Sequence, residues 1–191
     1  GLINSLTIAM TVAVVTGILG NIEPKALAGY GLGARLELML TPLIFGIGAA
    51  LTPSVGMNIG SNKFSRARKI AITGGVISFF IIGFLGLIFA IFPSLWIDNF
   101  SSDFQTIYYS KNYLKIVAPF YCFFGLGQAL YFASQGTGKM IYPILVGLCR
   151  FFSVSLIGLI TVYFDYSVNL VFWGVSLGLF ITGFGMSLCL L

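Results

Sequence analysis

The sequence predicts an all-α integral membrane protein, a bundle of six transmembrane helices. Four uncharged apolar runs carry the prediction: Leu38 to Asn62, Ile70 to Ile97, Ile116 to Gly138 and Tyr166 to Leu191. Each exceeds the ~20 mostly apolar residues that cross a bilayer. Two further segments qualify, Gly1 to Ile22 without a charge and Met140 to Phe164 interrupted only by Arg150. Composition agrees, with 58% apolar and 8% charged residues, against about 25% charged in soluble chains. Too little polar surface remains to clothe a water-soluble fold.

The first helix is expected over about 1–22. It lacks the positive amino-terminal region of a signal peptide, and a chain opening inside a span reads as part of a longer protein. The second, about 26–60, is longer than a crossing requires and holds Pro42 and Pro53 among Gly46, Gly48 and Gly56. Proline inside a helix removes a hydrogen bond and crowds the preceding turn, so both are expected to bend it. The remaining helices are expected over about 70–97, 112–138, 140–164 and 167–191. Small-x-x-x-small pairs occur at Gly29 and Gly33, Gly56 and Gly60, and Gly174 and Gly178. Such pairs let helix backbones approach closely in lipid, which favours one tight bundle.

The charges sort by connection. The second and fourth connections carry Lys63, Arg66, Arg68, Lys69 and Lys139 with no acid. The first, third and fifth carry Glu23, Lys25, Asp98, Asp103, Lys111 and Asp165, with Lys115 near the fourth span. By the positive-inside rule the second and fourth connections are cytoplasmic, and so are both ends of the chain. The net charge of +5 therefore marks a membrane surface, and a nucleic-acid partner is not expected.

The sequence has no histidine, which removes the commonest general base and metal ligand. Cys122, Cys149 and Cys189 lie far apart inside apolar spans and read as inert packing residues. Gly174-Val-Ser176-Leu-Gly178 matches a nucleophile-elbow pattern, but nothing activates the serine and the segment is helical. Gly138-Lys139-Met140 lacks the remaining parts of a phosphate loop. An enzyme and a metal cofactor are not expected.

Ionisable groups at membrane depth face a bundle interior or water. Glu37 is the one acid expected there, which makes it a candidate proton or cation site; the alternative is a carboxyl near the outer headgroups. Arg35 lies two residues away, about 200° around the helix, so the two do not share a face. Arg150 falls near the middle of the fifth span and needs a cavity or an acid partner, as either a substrate-facing group or a clamp between helices. Gln128, Tyr131 and Gln135 follow at i, i+3 and i+7 on one helix face. They either line a polar cavity with Asn58 or bond neighbouring helices.

The run Ala26-Leu-Ala-Gly-Tyr-Gly-Leu-Gly-Ala-Arg-Leu-Glu-Leu38, then Pro42, Phe45-Gly-Ile-Gly-Ala-Ala50 and Val55-Gly-Met-Asn-Ile-Gly60, resembles the multidrug and toxic compound extrusion (MATE) transporters. The match is to the start of their second six-helix half. Pro119 to Lys139 is similar to the fourth helix of that half. The resemblance spans essentially the whole chain. It implies one lobe of a twelve-helix transporter, with the amino-terminal lobe of the same chain missing, in a bacterial plasma membrane. It also implies export of organic cations and other drugs, with a proton or sodium ion as coupling ion and no other cofactor. Many members carry an acid in the first helix of this lobe; Gly1 to Gly20 has none. Glu37, with Arg35 or Arg150 setting its field, is then the lobe's coupling candidate. The rival readings are a lipid-linked saccharide flippase of the same superfamily and a structural membrane subunit.

Overall fold

The computed structural model describes residues 2–164 and 166–190. Its helices are α1 (Leu2–Ile22), α2 (Pro24–Gly60), α3 (Phe64–Ile91), the single turn α4 (Ser94–Ile97), α5 (Phe104–Val117), α6 (Tyr121–Thr137), α7 (Ile141–Tyr163) and α8 (Val168–Leu190). A 3-10 turn, Ala118–Phe120, joins α5 to α6. Counting α5, the turn and α6 as one span, six segments have the length and apolarity to cross a membrane. The protein is an all-α membrane bundle.

Helix boundaries depart from expectation where charge was taken as the end of a helix. The tract Lys63 to Lys69 is not a loop, because α3 already begins at Phe64. At 28 residues the helix is about 42 Å long, so its first turns project past the hydrocarbon and carry the cations into water. Likewise α5 starts at Phe104 rather than 112, capped by Asp103. The Asp103 carboxylate accepts from the Thr106 amide at 3.1 Å and hydroxyl at 2.6 Å, and pairs with Lys25 at 3.1 Å. The Thr106 hydrogen bonds, then Lys25, push its pKa down to about 2. The third helix stops at Ile91 rather than 97, since Phe92 and Pro93 intervene before α4. Trp96 of α4 donates from Nε1 to the Leu32 carbonyl at 2.9 Å, pinning that turn against α2.

Pro42 and Pro53 do not interrupt α2, which runs unbroken for 37 residues. Each follows a threonine. Thr41 donates to the Glu37 carbonyl at 2.8 Å, and Thr52 to the Gly48 carbonyl at 3.2 Å and Phe132 carbonyl of α6 at 2.9 Å. Each hydroxyl bonds the carbonyl four residues before it, next to the Leu38 and Ala49 carbonyls to which proline offers no N–H. A change of helix type falls at Pro119, inside the 3-10 turn.

The α6 helix is central, packing against α2, α3 and α8, while α1 lies on α7 and α5 on α2. The glycine pairs explain part of this. A side chain at Gly29 would meet Tyr109 and Ser110 of α5, and one at Gly33 would run into the Tyr113 ring. Gly174 and Gly178 seat Ile157 and Val154 of α7. Gly56 sits 3.3 Å (measured from a Cβ built on it) from the Gly136 carbonyl of α6, whereas Gly60 faces open space and is no contact.

Two hollows fix the ends of the bundle. Glu23, Tyr109 and Ser167 line one, uniting the first, third and fifth connections. Phe64, Lys139 and Cys189 line the other, uniting the second and fourth connections with the end of α8. Asp165, assigned from sequence to the fifth connection, lies outside the described residues.

Candidate functional site

Glu37 is half-buried on the inner side of α2. The Tyr113 hydroxyl of α5 donates to its Oε1 at 2.8 Å. Tyr113 is fully buried, and its ring meets Tyr30 edge-on at 5.5 Å and Phe172 of α8 at 5.2 Å. Gly33, one turn before Glu37, is what lets that ring cross the helix surface; a Cβ there would collide with it. The Tyr121 hydroxyl also interacts with the carboxyl and makes a long 3.5 Å contact to the Gly33 carbonyl. The site is therefore a carboxyl set among three tyrosines from α2, α5 and α6.

No direct ion pair holds it. Among the described residues the ion pairs are Lys25–Asp103 and Lys111–Asp98, both at one end of the bundle. The cation whose field reaches Glu37 is Arg150 of α7, which also acts on Tyr30 and Tyr113. Arg35 does not take part. It is exposed and lines an open hollow with Phe100, Ser101 and Thr106 beside α4, as the 200° offset from Glu37 anticipates.

Arg150 lines a cavity of about 20 Å³ with Thr7, Thr11, Gln128, Tyr131 and Thr182, room for about one water. It lies between α1, α6, α7 and α8. The sequence pattern thus brought Gln128 and Tyr131 to the right place, but not their expected companions. Gln135 is exposed in the last turn of α6, beyond the level of the cavity. Asn58 turns back on its own helix, its Nδ2 donating to the Ser54 carbonyl at 2.8 Å.

Sequence reasoning missed Tyr30, Tyr113 and Tyr121. The Tyr113–Glu37 bond joins residues 76 apart in the chain, and no local periodicity reports it. The available signal was Gly33, a missing side chain on the face that carries Glu37.

Six apolar helices, a tyrosine-bound carboxyl and an arginine-lined cavity inside the bundle describe an integral membrane protein with ionisable groups in its interior. The sequence model of the MatE family matches residues 2–163, and the chain belongs to that family. It is 30% identical over 122 residues to the probable multidrug resistance protein NorM of Thermotoga maritima, covering 64% of this chain and 26% of that one. It is 21% identical over 153 residues to the probable multidrug resistance protein YoeA of Bacillus subtilis, covering 80% and 33%. A FAD transporter of Shewanella oneidensis is 28% identical over 144 residues, covering 72% and 30%.

Among solved structures, a MOP superfamily transporter from Pyrococcus furiosus superposes with a TM-score of 0.84 at 12% identity, covering 97% of this chain and 41% of that chain. An inward-facing MATE family transporter gives 0.81 at 13% identity, covering 93% and 41%. The fold is therefore that of one six-helix lobe of such transporters, and the chain spans about a third or less of the curated relatives it matches.

Proposed function

We propose that the chain is the second lobe of an ion-coupled exporter of small organic molecules, with Glu37 as the lobe's coupling carboxyl. The observation that carries this is the Glu37 site itself, a half-buried carboxyl held by a 2.8 Å tyrosine hydrogen bond and without a salt bridge among the described residues. A salt bridge would lock the carboxylate charged; a hydroxyl serves it in either protonation state, since it can donate or accept. Antiport needs a group that binds the coupling ion and releases it as substrate loads. The two multidrug resistance relatives support a drug-like substrate. In this reading the second and fourth connections face the cytoplasm.

A second reading rests on Arg150. It lines the polar cavity, and one relative is a FAD transporter, so an anionic substrate carrying phosphate is the alternative. A saccharide flippase gains less support, because Arg35 turns away and leaves one cation at the cavity.

The test is transport by the full-length protein in proteoliposomes, with a fluorescent organic cation and an imposed proton or sodium gradient. Gradient-dependent movement of the dye is expected. Movement of a flavin nucleotide but not the dye establishes the second reading, and no transport of either under any gradient rejects both.

A further inference from the structure

We propose that the groove at the end of the bundle between α2, α3, α6, α7 and α8 is a binding site for the headgroup of an anionic phospholipid. The groove holds about 290 Å³ and is lined by Lys139, Tyr142, Thr137, Ser134, Phe64 and Ile59, among others. It lies where the second and fourth connections meet.

Charge is distributed unequally between the two ends. On the far side Lys25 and Lys111 pair with Asp103 and Asp98, while Arg35 and Lys115 are exposed without an ion pair among the described residues. At the groove end Lys63, Arg66, Arg68, Lys69 and Lys139 are all exposed, and none has an ion pair among the described residues. Every described carboxylate of the connections belongs to the far end, tied there by the Lys25–Asp103 pair and by the hollow that Glu23 lines. A surface with five unpaired cations and no acid complements a phosphate-bearing headgroup, and basic pockets between helices on the cytoplasmic side bind such headgroups.

The surroundings select a lipid over a soluble phosphate. Phe64 lines the groove with 62% of its surface exposed, and Ile59 lines it beside Phe64, an apolar path for acyl chains next to Lys139. Tyr142, more than half exposed, has the amphipathic form of an interfacial anchor. Its hydroxyl and the Lys139 ammonium are the polar groups of the rim; Thr137 and Ser134 already donate to backbone carbonyls at 2.8 and 2.9 Å.

The test uses the full-length transporter in nanodiscs of equal phosphatidylglycerol and phosphatidylcholine, with retained lipids read by native mass spectrometry. Phosphatidylglycerol is expected to be retained over phosphatidylcholine by about fivefold for each engaged cation. Lys139→Gln should lower that ratio by about fivefold, Lys139→Arg should restore it, and Lys111→Gln at the far end should leave it unchanged. Equal retention of the two lipids by the wild type overturns the proposal. So does an equal loss in Lys111→Gln, which would make the preference one of bulk charge. Abolition of the preference by millimolar inorganic phosphate would assign the groove to a soluble anion instead.

Discussion

The contact that defines the site makes a quantitative prediction. Tyr113→Phe keeps the buried ring between Tyr30 and Phe172 and deletes only the donor 2.8 Å from Glu37. A hydrogen bond to a charged acceptor contributes about 1.5–3 kcal/mol, so the single substitution should destabilise by that amount. Glu37→Leu leaves the buried tyrosine hydroxyl without its acceptor, at about 1–3 kcal/mol. Removing both partners together leaves neither group stranded, which is nearly neutral when the shapes are kept. The double variant should therefore be more stable than the sum of the two losses by about 2.5–6 kcal/mol. The measurement is a double-mutant cycle on the purified full-length protein, unfolded reversibly by detergent titration. Losses that add to within about 0.5 kcal/mol, the behaviour of independent sites, would refute the idea that Tyr113 and Glu37 act as one unit.

Other consequences are as specific. Gly33→Ala puts a methyl group into the Tyr113 ring and should cost about 1–3 kcal/mol as overpacking, while Gly60→Ala, facing open space, should cost nothing measurable in the same titration. Asp103 has a folded pKa of about 2 against an ordinary 3.8, so its cap stabilises fully above the ordinary value and loses that contribution as pH falls toward 2. The thermal midpoint of the wild type should accordingly exceed that of Asp103→Asn at pH 6, with the gap closing between pH 4 and about 2; a gap constant with pH would contradict the assigned hydrogen bonds. For sidedness, single cysteines at Ser65 and Ser102, in a background lacking the native three, are probed with an impermeant thiol reagent on intact cells. Ser102→Cys should label and Ser65→Cys should not; the reverse pattern overturns the orientation.

Class and spans were legible in the sequence because hydropathy depends on composition alone, and the lipid core tolerates little else. Boundaries were misread for a physical reason. Charges at Lys63 to Lys69 mark the edge of the hydrocarbon, but a helix need not end there, and α3 continues through them. Pro42 and Pro53 leave α2 continuous, and each is preceded by a threonine whose hydroxyl bonds the carbonyl four residues before it; Pro119 stands where the helix changes type. In the site, Glu37 and Arg150 were visible because charge inside an apolar run stands out. Their tyrosine partners were not, since Tyr113 reaches Glu37 only through the packing of α5 on α2. Gln128 and Tyr131 kept the company their spacing implied, whereas Gln135 shared their face but not their depth.

The central claim, that Glu37 couples ion to substrate movement, is tested most directly by Glu37→Gln in the full-length transporter. The amide preserves size and an acceptor for Tyr113 while removing the exchangeable proton and the charge. In proteoliposomes with an imposed proton or sodium gradient, the variant should lose gradient-driven accumulation of the organic cation yet retain exchange of that substrate without a gradient, at wild-type protein levels. Accumulation equal to the wild type would contradict the account and place coupling outside this lobe.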